Sequence, residues 1–321
     1  MPAFITASRI LALCGLSAAL AIAAAPAQSA RRLAGGERIP GPGEYEIRLQ
    51  QDGRERFALL HVPANYDARQ PMPLVVALHG GGGSAQHMAD DRHYGLIGKS
   101  ESAGFLVLFP NGVSNRANGM LATWNAGNCC GRARDGKVDD VGFLRALVAD
   151  VSRRANVAPQ RVYATGMSNG AMMAYRLACE ASDVFHAIMA VAGTDNTAAC
   201  APANPVPVLH VHARDDELVL FGGGAGRSRR TDQVTDFVSV ADSIAKWVRL
   251  DHAAATPKRV LSVTGAYCDL HEALPGGAPV QLCVTETGGH SWPGGNKARA
   301  GEAPSRAVSA NDLMWEFFTS R

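Results

Sequence analysis

Apolar positions in this chain fall into short runs closed by turn-forming residues, and between those runs they recur at helical spacing. Residues 74–78 and 105–109 are unbroken apolar runs, and 57–62, 161–165, 187–192 and 206–211 also read as strands. Further strands are predicted near Val260 and Leu282. Helices are predicted over 141–151, with Asp139 or Asp140 as N-cap, and over 169–179, 234–250 and 312–318. Runs that are apolar throughout fit parallel strands buried on both faces, and the alternating helices complete β-α-β units. The expectation is an α/β fold: a doubly wound, mostly parallel sheet flanked by helices. Residues 28–43 are rich in Gly and Pro and read as a flexible leader, and 44–321 read as one catalytic domain. No internal repeat and no long insertion for a large lid interrupt it.

Composition narrows the function classes. With 47% hydrophobic and 19% charged residues and a net charge of +2, the 321-residue chain is globular, and neither its charge nor any basic stripe points to a nucleic-acid partner. The densest positive run, Arg227, Ser228, Arg229 and Arg230, reads as a solvated loop. At the N-terminus, Arg9 precedes an apolar stretch over 10–25 that ends in Ala25, Pro26 and Ala27. That pattern predicts a signal peptide over 1–27, cleaved after Ala27 with Ala30 as the alternative, and hence a secreted or periplasmic protein. The stretch is short for a membrane span, which needs roughly 20 residues, so no stable membrane anchor is expected. Leu13 precedes Cys14 where lipid attachment wants a small residue.

Export leaves six cysteines: Cys129, Cys130, Cys179, Cys200, Cys268 and Cys283. An even number in an oxidising compartment predicts disulfides. Cys268 and Cys283 flank a Pro-Gly-Gly turn between two strand-like runs and are the favoured pair. Cys129 and Cys130 are adjacent and are expected to serve different partners, or to leave one thiol free. Metal-site spacings such as C-x-x-C are absent, so no metal is expected.

The chemistry concentrates in four segments. Gly166-Met167-Ser168-Asn169-Gly170 lies between a strand and a helix, the setting in which G-x-S-x-G presents a serine hydroxyl at the top of a sheet. A serine needs a base to take its proton, and that base needs an acid. Asp215 and Asp216 both follow the 206–211 strand, and His290 sits in a Gly-rich turn after a late strand, giving the order nucleophile, acid, histidine. His79, His87, His93, His210 and His212 lack such a position, and His210 and His212, which belong to a strand, are expected either to pack or to support the site residues from behind. The fourth segment, His79-Gly80-Gly81-Gly82-Gly83, is an HGGG-type loop. The backbone N–H groups of Gly81 and Asn169 are therefore the expected oxyanion donors. The glycines are not followed by Gly-Lys-Ser/Thr, so a phosphate loop is excluded.

Taken together, LVVALHGGGGS, FPNG, TWNAGNCCG with VDDVGFLRALV, RVYATGMSNGAMMAYRLACE, PVLHVHARDDELV and GGHSWPGG resemble the polyhydroxybutyrate depolymerase-like esterases. These are relatives of the feruloyl and acetyl xylan esterases of carbohydrate esterase family 1. The resemblance covers nearly all of the chain after the leader. It implies an α/β-hydrolase fold and a serine carboxylic ester hydrolase that needs no cofactor. The family's acid loop, of the type HGTADPVVP, places its aspartate on Asp216, its serine on Ser168 and its histidine on His290. Ala213, Arg214 and Glu217 depart from that loop pattern. The resemblance also makes Trp292, and less directly Trp124, candidates for lining an acyl pocket. The substrates it implies are polyhydroxyalkanoate oligomers or feruloyl and acetyl esters of plant polysaccharide. A peptidase or lipase on the same fold, or a non-catalytic secreted binding protein, are the rival readings.

Overall fold

A computed structural model of the chain describes Met1 and residues 30–226, 235–296 and 303–320. Residues 2–27, where a signal peptide is expected, and the run from Arg227 to Arg230 lie outside the described residues. The elements in chain order are β1 (Arg31–Arg32), β2 (Gly43–Gln51), β3 (Arg54–Val62), β4 (Met72–Leu78), α1 (Ala85–Met88), α2 (Asp91–Tyr94), α3 (Leu96–Ala103) and β5 (Leu106–Pro110). They continue with α4 (Gly131–Asp135), α5 (Asp140–Arg154), β6 (Val157–Met167), α6 (Asn169–Glu180), β7 (Ala187–Val191), β8 (Val208–Ala213), β9 (Gly224–Ala225) and β10 (Asp236–Phe237). The last are α7 (Val240–Leu250), β11 (Lys258–Val263), β12 (Ala266–His271), β13 (Val280–Thr285) and α8 (Ala310–Thr319).

Eleven strands form one sheet in the order β1-β2-β3-β5-β4-β6-β7-β8-β13-β12-β11. The centre, from β5 through β13, is parallel. Strand β4 shows why its run is apolar throughout: Leu74, Val76 and Leu78 face one core cluster, while Val75 and Ala77 face the other. Helices α5, α6 and α7 cover the first face, and α1, α2, α3 and α8 cover the second. A strand buried on both faces has no polar side to alternate with.

Apart from the short parallel pairing of β1 with β2, both flanks of the sheet are antiparallel, which the apolar runs did not signal. Strands β2 and β3 form a hairpin whose two-residue turn is Asp52-Gly53, both at positive φ (50° and 70°). Such turns match the right-handed twist of the flanking strands. At the other flank β12 pairs antiparallel to β13, and Cys268 stands directly opposite Cys283, to which it is bonded. Cys179 bonds Cys200, tying the end of α6 to the loop after β7.

Three expectations need correction. Residues 28–43 were to be a flexible leader, yet from residue 30 onward the segment is docked. Its Arg31–Arg32 strand pairs with β2, and Leu33 and Ile39 are buried in the core. Burial of two aliphatic side chains outweighs the Gly and Pro content. Cys129 and Cys130 bond to each other, not to separate partners; the other four cysteines are already paired, and Cys129 is fully buried. The helix expected over 234–250 begins only at Val240, because Ser239 caps it by accepting from the Asp242 N–H (2.9 Å). Val234 itself lies outside the described residues.

One buried acid beneath the sheet makes stability depend on pH. Asp251 is fully buried; its Oδ1 accepts from the Val206 N–H (2.8 Å), while Oδ2 has no partner among the described residues. Burial pushes its carboxyl up to about 7. Between the ordinary aspartate range near 4 and pH 7 the folded state therefore holds a proton that the unfolded state has released, so this group lowers stability as pH rises. Asp251→Asn is expected to raise Tm at pH 8 by about 4 °C, with an advantage over the parent that grows between pH 4 and pH 7. Thermal melts across that range check it; a variant no more stable at pH 8 than at pH 4, relative to the parent, contradicts it.

Candidate functional site

The segments singled out in the sequence all follow the C-terminal ends of parallel strands: the glycine loop after β4, Ser168 after β6, Asp216 after β8 and His290 after β13. Loops at that edge of an open α/β sheet are where ligands bind.

Ser168 occupies a turn that few side chains tolerate, with φ 57° and ψ −122°. A non-glycine residue in this region is strained, and such strain gathers at functional sites. The neighbours must be glycine for reasons of space. A Cβ on Gly166 would lie 2.5 Å from the Gly170 backbone, and one on Gly170 would lie 2.2 Å from the Leu78 carbonyl oxygen. The turn is fixed further by the Ser168 N–H, which donates to the Val191 carbonyl (2.9 Å), and Ser168 itself is half-buried.

Asn169 starts α6, so its N–H is among the first four of the helix and has no intrahelical acceptor. Its side chain is clamped to the 122–131 loop: Oδ1 accepts from the Trp124 N–H (2.8 Å) and Nδ2 donates to the Trp124 carbonyl (3.0 Å). Gly80 and Gly81 pack against this turn, since added Cβ atoms would stand 3.5 Å from the Cβ of Ser168 and of Asn169 respectively. The glycine loop is held by His79, whose Nδ1–H donates to the Gly80 carbonyl (2.8 Å) while Nε2 accepts from the Gly112 N–H (3.0 Å). Burial pushes this imidazole down to about 4, so it stays neutral and in one tautomer at ordinary pH. The sequence placed His79 in the motif without showing that it braces it.

The adjacent acids divide their work. Asp216 Oδ2 accepts from His290 Nδ1 (2.8 Å), and its Oδ1 accepts from the N–H groups of Leu218 (2.8 Å) and Val219 (3.0 Å). Asp215 instead accepts from the backbone of the histidine loop, from Gly289 (2.9 Å) and Gly288 (3.3 Å). Burial pushes the Asp216 carboxyl up, but the hydrogen bonds from His212 and His290 outweigh it and hold the group well below the usual carboxylate range. It is a carboxylate wherever the protein is folded at ordinary pH. The His290 side chain is 13% exposed and that of Asp216 not at all.

The two tryptophans expected to line an acyl pocket are both buried. Trp124 is fully buried, with its indole N–H on the His79 carbonyl (2.9 Å). Trp292 is 3% exposed, packs edge-on to Tyr94 and donates to Asn311 Oδ1 (3.1 Å). Both rings pack in the protein interior. His212, expected either to pack or to support the site, has its Nε2 3.3 Å from Asp216 Oδ2. Its place four residues before the acid, at the end of a strand, was the available signal. Among the described residues no three His, Cys, Asp or Glu side chains converge as metal ligands, and no helix is long and apolar enough to cross a membrane.

Comparison with known proteins bears on this arrangement. The chain is 32% identical over 282 residues to a protein of Nocardia uniformis subsp. tsuyamanensis named as an esterase, NocK, covering 83% of this chain and 79% of that one. It is 27% identical over 242 residues to feruloyl esterase B of Piromyces equi, covering 74% of this chain but only 42% of that protein's length. The solved structure of the acetyl xylan esterase from Aspergillus awamori superposes with a TM-score of 0.58 at 14% identity, over 85% of this chain and 99% of that one, a likeness of fold. The sheet and its helices are thus those of an α/β-hydrolase. Residues 56–238, which carry the glycine loop, Ser168 and Asp216, match the family described as esterase PHB depolymerase, and the chain belongs to that family.

Proposed function

We propose that this protein is an exported serine esterase that cleaves carboxylic esters through an acyl-enzyme on Ser168. The observation that carries the reading is the His290–Asp216 hydrogen bond at the strand edge that also bears the strained Ser168 turn. With Nδ1 engaged by the carboxylate, Nε2 of His290 is the nitrogen left to act as base. In this mechanism His290 takes the Ser168 proton as Oγ attacks the ester carbonyl, and the N–H groups of Gly81 and Asn169 hold the developing oxyanion. His290 then protonates the departing alcohol and activates the water that releases the acid. Asp216, a buried carboxylate, fixes the imidazole tautomer and stabilises the imidazolium.

The names of the relatives favour hydroxycinnamoyl or acetyl esters of plant polysaccharide as substrates. The description of the matching family favours hydroxyalkanoate oligomers as the second reading. Three cysteine pairs support export to an oxidising compartment. Release assays on the purified protein with p-nitrophenyl acetate, methyl ferulate and 3-hydroxybutyrate oligomers separate the substrate readings. Serine-dependent ferulate release at the highest kcat/KM is expected. Preference for the hydroxybutyrate oligomers replaces the first substrate class with the second, and failure on all three removes the esterase reading.

A further inference from the structure

Behind Asp216 runs a chain of buried polar side chains that the proposed mechanism does not use. Tyr175 on α6 and His210 and His212 on β8 are all at most 1% exposed. The two histidines are two residues apart on one strand and so face the same side of the sheet; their rings stack 5.2 Å apart and nearly parallel. Tyr175 Oη is 2.7 Å from His210 Nδ1, His210 Nε2 is 3.0 Å from His212 Nδ1, and His212 Nε2 is 2.8 Å from the Val219 carbonyl oxygen and 3.3 Å from Asp216 Oδ2.

The partners dictate where every proton sits. The Val219 carbonyl only accepts, so His212 Nε2 carries a proton, shared between that carbonyl and the Asp216 carboxylate. If His212 also carried a proton on Nδ1, His210 Nε2 would have to accept it and His210 Nδ1 would have to donate to Tyr175. The buried phenol proton would then have no acceptor among the described residues. Burial pushes the phenol well up and the His210 imidazole well down, so the first stays protonated and the second neutral. The consistent arrangement is Tyr175 O–H to His210 Nδ1, His210 Nε2–H to His212 Nδ1, and His212 Nε2–H to Val219 and Asp216.

We infer that His212 is a positioning residue for the reaction: its Nε2–H, locked in place by His210 and Tyr175, holds Asp216 in the rotamer that faces His290. The inference rests on the esterase reading above, in which Asp216 supports His290. The Asp216 carboxylate is thus gripped from both sides, by the two backbone N–H groups on Oδ1 and by the two imidazoles on Oδ2. Losing the His212 donor lets the carboxylate rotate, so His290 loses its orientation while the ester still binds.

Two polar substitutions of different reach test this. In His212→Gln the amide nitrogen falls near the position of Nε2, whereas in His212→Asn it falls near Nδ1 and cannot reach Asp216. A hydrogen bond to a charged acceptor corresponds to roughly 10- to 100-fold in rate. His212→Asn is expected to lose about that much kcat with KM within about twofold, and His212→Gln to stay within about fivefold of the parent. Tyr175→Phe, which deletes one hydroxyl, is expected to lose about three- to tenfold of kcat. Equal kcat for the Gln and Asn variants, whether both high or both low, overturns the role assigned to His212. If either His212 variant does not fold by thermal melt, Tyr175→Phe decides alone, and unchanged kcat overturns the tautomer lock. Ser168→Ala is assayed alongside: if it is inactive while the Gln and Asn variants match, only the positioning role falls, whereas an active Ser168→Ala brings down the esterase reading beneath it.

Discussion

Ser168→Ala is expected to lower kcat/KM for a short p-nitrophenyl ester by at least about ten-thousandfold, with Tm within about 2 °C of the parent. The size follows from what remains. The glycine loop and the first N–H of α6 still offer donors to the carbonyl, and binding is untouched, but no group is left to form the acyl-enzyme. The fold should not notice the change. The Ser168 side chain caps no helix, the turn is held by the backbone bond to Val191 and by the contacts of Gly166 and Gly170, and alanine bears the same φ of 57° as serine does. Initial rates and thermal melts on one preparation check both halves. Retained turnover removes Ser168 from the chemistry, and a collapsed Tm means that the serine is structural.

Asp216→Asn is expected to cost about a thousand- to ten-thousandfold in kcat, against less than about tenfold for Asp215→Asn. At position 216 an asparagine keeps one oxygen for the N–H groups of Leu218 and Val219 and so presents its amide nitrogen to His290 Nδ1. A donor there forces Nδ1 to accept and moves the imidazole proton to Nε2, the nitrogen that has to take the serine proton. The base is then in the wrong tautomer although little has moved. At position 215 the carboxylate serves the backbone of Gly288 and Gly289, and an asparagine retains one acceptor for them. Steady-state kinetics of the two variants decide the matter. Equal losses mean that the two acids act as one charged unit, and a larger loss at 215 exchanges their roles.

The central parallel strands were legible because burial on both faces leaves a strand no polar side, as β4 shows residue by residue. The candidate site was legible because the proposed chemistry demands a tight turn: Gly166 and Gly170 are written into the sequence by the space that Leu78 and the helix start deny to any Cβ. In the flanking hairpin β2–β3 one face is only partly buried, and of its two strands only the more apolar 57–62 run was read. The docking of residues 30–43 rests on two side chains, Leu33 and Ile39, among many turn formers. Interactions between residues distant in the chain were not readable. In the sequence only resemblance favours Asp216 over Asp215, whereas in the fold they have different partners, His290 for Asp216 and the Gly289 N–H for Asp215. The histidines on β8 carried no motif, yet His212 lies 3.3 Å from the Asp216 carboxylate. The depth at which Trp124 and Trp292 are buried was unreadable for the same reason, since aromatic identity says nothing of which way a ring turns.

The most direct test of the account is active-site titration with a fluorophosphonate, followed by peptide mass mapping, on the purified protein. The account predicts one phosphonyl group per chain, attached at Ser168, with ester turnover disappearing in step with labelling. Label on another residue, or full turnover in the fully labelled protein, contradicts it.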